Sequence, residues 1–379
     1  MPRSFNHVPK SSRTVGLVAA AATAAAVTAL WVRHRASRAE RDNPPVGRFV
    51  EVDGVRLHYI DKGNGSPVVL LHGNAVLLQD FIASGLIDRL AERHRVIAFD
   101  RPGFGYSERP RSHMWSAQTQ AETIRHALEL LGVDAPVVLG HSWGTSVALS
   151  MALGGAPYLR GLVLVSGYYY PSVRLDVALT APVALPVLGD VLRYTVSPIT
   201  GRLLLKRMVA AMFSPLPVPE RFFEVVAREM IVRPSQIKAE AGDAAAMIPA
   251  TARLRDDYSA LTIPVAIFAG AEDEIVDPQA HSVRLHQAIP QSSLVIVQGA
   301  GHMVHYAADG QIVDAVDAMA ERHGCRGQCL AVRIDAQCSD ELIELRGHEC
   351  SLRGVVIDTR ARAQLVVLTG RQPCRKVRH

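Results

Sequence analysis

No cysteine precedes residue 325, so the first 324 residues fold without disulfides and give no redox clue to a compartment. Aromatic residues are scarce, at 6%, and no basic stripe interleaves with them. Charge of one sign is also missing over most of the chain. Residues 323–379 hold ten Lys/Arg against six Asp/Glu, so they supply +4 of the net +5 and leave the other 322 residues almost neutral. That distribution argues against nucleic acid as a partner. The five cysteines, Cys325, Cys329, Cys338, Cys350 and Cys374, all lie in this tail. Cys325 and Cys329 with His323 and His348 make a zinc site conceivable, yet the spacing matches no strong metal pattern and the count is odd. Incidental cysteines are the reading adopted, with no metal expected.

What the chain does have begins near its N-terminus. Residues 15–32 form an uncharged apolar run of 18 residues between Arg13 and Arg33, just long enough to cross a bilayer as a helix. Thr23 and Thr28 are its polar members, too few for the polar face of an amphipathic core helix. A single-pass membrane anchor is favoured over an export signal cleaved after Ala29 and over a buried helix. Arg3, Lys10 and Arg13 before the run balance Arg33, Arg35, Arg38 and Arg41 after it, so the sidedness is open. The charged residues 33–45, ending in Asn43-Pro44-Pro45, read as a linker.

From residue 46 the pattern becomes α/β. Residues 49–52 and 55–60 around Asp53-Gly54 predict a hairpin. Short apolar runs at 67–71, 96–99, 136–139, 161–165, 263–268 and 293–297 predict strands buried on both faces. Helical spacing at 78–93, 117–131, 145–153, 279–288 and 311–321 falls between them. Alternation of this kind predicts a mostly parallel, doubly wound sheet, whose ligands bind at the carboxyl ends of the strands. The core is therefore assigned to 46–167 and 258–323. Residues 168–257 lack a clear strand, and their apolar spacing predicts an inserted helical cap, or lid. Residues 324–379 read as a tail with one possible strand at 365–368, poorly ordered or an appendage.

Gly140-His141-Ser142-Trp143-Gly144 lies between a predicted strand and a predicted helix. A serine at so sharp a turn is strained, and glycines two positions to either side let the elements pass. The turn lifts the Ser142 hydroxyl beside a helix N-terminus, where negative charge is favoured. Serine needs a base, and the base needs an orienting acid. His302, in Gly299-Ala300-Gly301-His302 after the last strand, is the candidate base, with His305 as the alternate. Asp273, in the loop beyond 263–268, is the candidate acid; Glu272, Glu274 and Asp277 compete with it. The oxyanion donors expected are the backbone N–H of Trp143 and that of Asn74 in His72-Gly73-Asn74-Ala75, with the Asn74 side chain as an addition. Met208, Met212, Phe213, Phe222 and Phe223 suit a greasy substrate or the cap's own core, and Tyr168-Tyr169-Tyr170 either a pocket wall or a hinge.

These segments, with Phe99-Asp100-Arg101-Pro102-Gly103-Phe104-Gly105-Tyr106-Ser107, resemble the successive signatures of α/β-hydrolase fold enzymes over residues 49–322. The resemblance implies acyl transfer by the serine-nucleophile, esterase-like branch, with no metal or organic cofactor. Dehalogenases and epoxide hydrolases of that superfamily carry an aspartate where this chain has Ser142. The expected partner is a small hydrophobic ester, with the membrane held through residues 15–32. Two alternatives keep the fold: hydrolysis of a carbon–carbon bond or of an N-terminal proline amide, and a binding protein without turnover.

Overall fold

The computed structural model describes residues 10–154, 159–172 and 181–328, together with 355–356 and 366–367. The chain divides into two units, Met1–Ala320 and Glu321–His379. In the second, Val355–Val356 and Val366–Val367 pair antiparallel, on part of the run where a strand was expected. The cysteine side chains and those of His323 and His348 lie outside the described residues.

The first unit is built on eight strands: β1 Arg48–Val52, β2 Val55–Lys62, β3 Ser66–Leu71, β4 His94–Phe99, β5 Val137–His141, β6 Gly161–Val165, β7 Val265–Gly270 and β8 Ser293–Val297. Their spatial order is β1-β2-β4-β3-β5-β6-β7-β8. The hairpin β1–β2 and the β2–β4 pair are antiparallel, and every other pairing is parallel. The inner parallel strands, linked by helices, are covered on both faces, which is why their sequences are unbroken apolar runs; β8, expected to be buried likewise, lies at the sheet edge and is only part-buried. Val68 to Leu71, Val137 to Leu139 and Leu162 to Val165 are all buried. Each such side chain contributes roughly 1.5–3 kcal/mol by leaving water. One apolar layer, with Phe81, Leu86 and Val316, covers one face of the sheet; the other holds Ile124, Val147 and Tyr258.

Two other elements differ from expectation. Residues 78–93 form two short helices, Gln79–Ala83 and Leu86–Ala91, because Gly85 turns into the left-handed region at φ 78°. The apolar N-terminal run continues as one helix, Lys10–Asp42, through most of the residues read as a linker. Its charged end has no proline before Pro44, and Arg38 pairs with Asp42 one turn on. Val32 and Ala39, seven residues apart on one face, are buried against the body.

Between β6 and β7 the described residues hold the helices Leu188–Leu192, Val196–Phe213, Glu220–Val225, Arg228–Ile231 and Pro234–Leu254. Leu205, Val209, Met212, Phe213 and Phe222 pack into a cluster with Val76 and Met303. Met212, Phe213 and Phe222 are thus spent on the helices' own core, whereas Met208 faces outward. Tyr168, Tyr169 and Tyr170 are buried where this insertion begins. The hydroxyls of Tyr168 and Tyr170 donate to the carbonyls of Ser172 and Arg284, and the Tyr169 carbonyl accepts from Tyr258.

Candidate active site

β5 ends at His141 and a helix, Trp143–Leu153, begins two residues later, so the whole reversal falls on Ser142. Its backbone sits at φ 52°, ψ −118°, a strained conformation for a residue with a side chain. The flanking glycines are steric requirements. A Cβ on Gly140 would stand 2.5 Å from the Gly144 carbonyl oxygen, and one on Gly144 would stand 2.1 Å from that of Leu71.

His302 follows β8 and faces this turn. Its Nε2 lies 3.0 Å from Ser142 Oγ, and its Nδ1 lies 2.8 Å from Asp273 Oδ2. The other Asp273 oxygen accepts from the backbone N–H groups of Ile275 and Val276, both at 2.9 Å. That leaves Oδ2 for the imidazole and fixes Nδ1 as its protonated nitrogen. Asp273 and His302 are buried, and Ser142 is half-buried. Glu272, Glu274 and Asp277 are exposed, and Asp277 instead caps the turn at Gln279 and Ala280. His305 bonds Asp80 Oδ2 through Nε2 at 3.0 Å, so the alternate base is engaged elsewhere.

The expected donor loop reaches the same point. A Cβ on Gly73 would stand 2.9 Å from Ser142 Cβ, so only glycine allows the loop after β3 this close. Trp143, first in its helix, has no carbonyl one turn back for its N–H to bond. Asn74 Oδ1 accepts from Arg101 Nη2 at 2.8 Å, which leaves its NH₂ group as the side-chain donor. Ala75 beyond it is held at φ 59°.

Two residues in this support had not been singled out for it. Arg101 is fully buried and donates to the carbonyls of His72 (2.7 Å) and Gly73 (3.1 Å), to Gln120 and to Asp243. Asp243 comes from the inserted helix Pro234–Leu254 and also binds Arg109 at 2.8 Å. Phe99-Asp100-Arg101 marks the first of these in sequence; nothing local marks Asp243. His72 is neutral: its Nδ1–H donates to the Gly73 carbonyl, its Nε2 accepts from the Arg101 N–H, and burial lowers its pKa to about 4.

Behind His302, Asp80, His141 and His305 bring ligand atoms within 4.8 Å of one another, a set able to hold a metal ion. Hydrogen bonds already tie it together, since His141 Nε2 lies 3.2 Å from the His302 carbonyl oxygen and Tyr306 donates to Asp80 at 2.7 Å. A cleft of about 1380 Å³ on the flank, lined by Met114, Trp115, Met151 and Pro249, contains none of Ser142, Asp273 and His302. Its size does not make it the site, because the strained serine and its base lie elsewhere.

A family profile for the alpha/beta hydrolase fold matches residues 66–309. The chain belongs to the α/β-hydrolase family. Its relatives in that family include haloalkane dehalogenase 2 of Mycobacterium tuberculosis, 28% identical over 283 residues, 72% of this chain and 94% of that protein. The 2-hydroxymuconate semialdehyde hydrolase of Pseudomonas putida is 29% identical over 272 residues, 70% and 90%. Among solved structures, an esterase from Exiguobacterium antarcticum superposes with a TM-score of 0.60 at 21% identity, covering 73% of this chain and 100% of that one. As a hydrolase-fold protein with such relatives, the chain is a hydrolytic enzyme of this family.

Proposed function

We propose that this α/β-hydrolase cleaves carboxylic esters through an acyl-enzyme, with Ser142 as nucleophile, His302 as base and Asp273 as the acid that orients it. The observation that supports this most is the unbroken run of contacts Ser142 Oγ–His302 Nε2–His302 Nδ1–Asp273 Oδ2 at a strained turn. Ser142 Oγ adds to the carbonyl carbon as its proton passes to His302 Nε2, and Asp273 stabilises the resulting imidazolium. The N–H groups of Trp143 and Asn74 receive the oxyanion. His302 then protonates the leaving alkoxide, and water repeats the sequence to free the acid and Ser142.

A dehalogenase reaction fits poorly. Displacement of halide by a serine oxygen would leave an alkyl ether, which water does not cleave, whereas a carboxylate nucleophile leaves a hydrolysable ester. Carbon–carbon bond hydrolysis is the second reading, favoured by the match to the 2-hydroxymuconate semialdehyde hydrolase over 90% of its length. The helix Lys10–Asp42, long and apolar enough to span a bilayer, supports a membrane-anchored enzyme, and the helices between β6 and β7 act as its lid. A panel of p-nitrophenyl esters of rising chain length, run beside a vinylogous diketone, separates the two readings. Ester turnover that vanishes in Ser142→Ala supports the first; turnover of the diketone alone replaces it with the second.

A further inference from the structure

The apolar run of the N-terminal helix ends at Val32, immediately before Arg33. Val32 is also the first fully buried of that helix's described side chains, 1% exposed, against 68% for Leu30 and 45% for Trp31. Trp31 receives a cation: the guanidinium carbon of Arg202 lies 5.0 Å from its ring centroid. One turn further, Arg35 pairs with Glu229 at 2.9 Å, and Glu229 also binds Arg202 at 2.7 Å. A tryptophan at the end of an apolar span belongs at headgroup depth. The residue stacked on it shares that depth. On the anchored reading, the helix Val196–Phe213, which carries Arg202, lies at the level where the anchor leaves the bilayer.

This helix has two faces. Leu205, Val209, Met212 and Phe213 point into the protein. Val196, Ile199, Leu203 and Leu204 point away from it at helical spacing, with Leu203 75% exposed, and exposed Lys206 and Arg207 follow in the next turn. Apolar side chains with a basic fringe match the boundary between acyl chains and anionic headgroups. We propose that this outward face is a second membrane contact, seated on the same bilayer as the anchor, and that it leads lipid-dissolved substrates to Ser142. The far end of the helix touches the site: the Met303 N–H donates to the Met212 carbonyl at 3.2 Å, one residue from His302. The Ser214 carbonyl oxygen lies 1.9 Å from where a Cβ on Gly301 would stand. The helix proposed to lie on lipid thus runs from that surface to the backbone on either side of His302.

The inference rests on the anchored reading above, and the test separates the two. Full-length protein carrying Leu203→Trp is reconstituted with vesicles of phosphatidylcholine and phosphatidylglycerol, with and without brominated acyl chains. The fluorescence added over the unsubstituted protein is the readout. Flotation with the vesicles, a blue-shifted added signal and loss of most of it to bromine support the inference. Flotation with an added signal that stays red and unquenched overturns it while leaving the anchor intact. Failure to float overturns both.

Discussion

The guanidinium of Arg101 and the carboxylate of Asp243 meet at 2.5 Å with neither side chain exposed. The pair joins the loop after β4 to a helix of the insertion. Through Arg101's bonds to His72, Gly73 and Asn74 it also sets the shape of the proposed oxyanion loop. The buried pair therefore links the proposed lid to the proposed oxyanion loop. Asp243→Ala leaves a buried guanidinium without its counter-charge, and the expected loss is about 3–5 kcal/mol. Urea unfolding measures it; a change under about 1 kcal/mol would mean the pair is dispensable.

Asp273→Asn keeps the shape of the side chain but no longer requires the proton to sit on His302 Nδ1. The expected fall in kcat is on the order of 10³ to 10⁴, with little change in melting temperature. Steady-state ester kinetics check it, and a loss under about tenfold would remove Asp273 from the role.

Gly73→Ala and Gly144→Ala separate catalysis from folding. The first places a methyl 2.9 Å from Ser142 Cβ, against the proposed nucleophile itself, so activity falls more than stability. The second drives a methyl to 2.1 Å from the Leu71 carbonyl oxygen within the packed core, where overpacking costs about 1–3 kcal/mol or more. Thermal unfolding beside ester turnover gives the comparison; equal destabilisation by both contradicts it.

Stability should depend on pH through two groups of opposite sense, the fully buried His72 and the part-buried Glu240. Unfolded His72 takes up a proton near pH 6.5, but folded His72 resists until about pH 4. Its share of stability is full above pH 6.5 and lost as pH falls towards 4, amounting to about 3 kcal/mol. Glu240 lies on the inserted helix, where burial raises its pKa from 4.5 to about 8. Only the unfolded carboxyl ionises between those values, so stability declines as pH rises through that window. Glu240→Gln should be more stable than the unsubstituted protein above pH 8, with the gain vanishing below pH 4.5. Urea midpoints across the range test this, and a gain independent of pH would contradict it.

Much of this was legible in the residues themselves. The strands were readable because burial on both faces demands unbroken apolar runs, and Asp53-Gly54 marked the hairpin by its turn chemistry. Ser142, His302 and Asp273 each follow a strand end, so a parallel sheet brings them to one rim whatever their separation in sequence. Other features left no local trace. The helix break at Gly85 depends on one backbone angle inside an otherwise helical pattern. Residues 33–42 looked like solvated linker because their many charges mask Ala39, the one buried residue among them, which lies on the same helix face as Val32. Arg101 and Asp243 are 142 residues apart, and no periodicity encodes a pairing at that distance.

Reaction of the folded, full-length protein with a fluorophosphonate, followed by peptide mass mapping, tests the central assignment most directly. A single adduct on Ser142, slowed by at least about a hundredfold in His302→Ala, is the predicted result. An unmodified Ser142, or labelling as fast without the imidazole as with it, would contradict a nucleophile activated by His302.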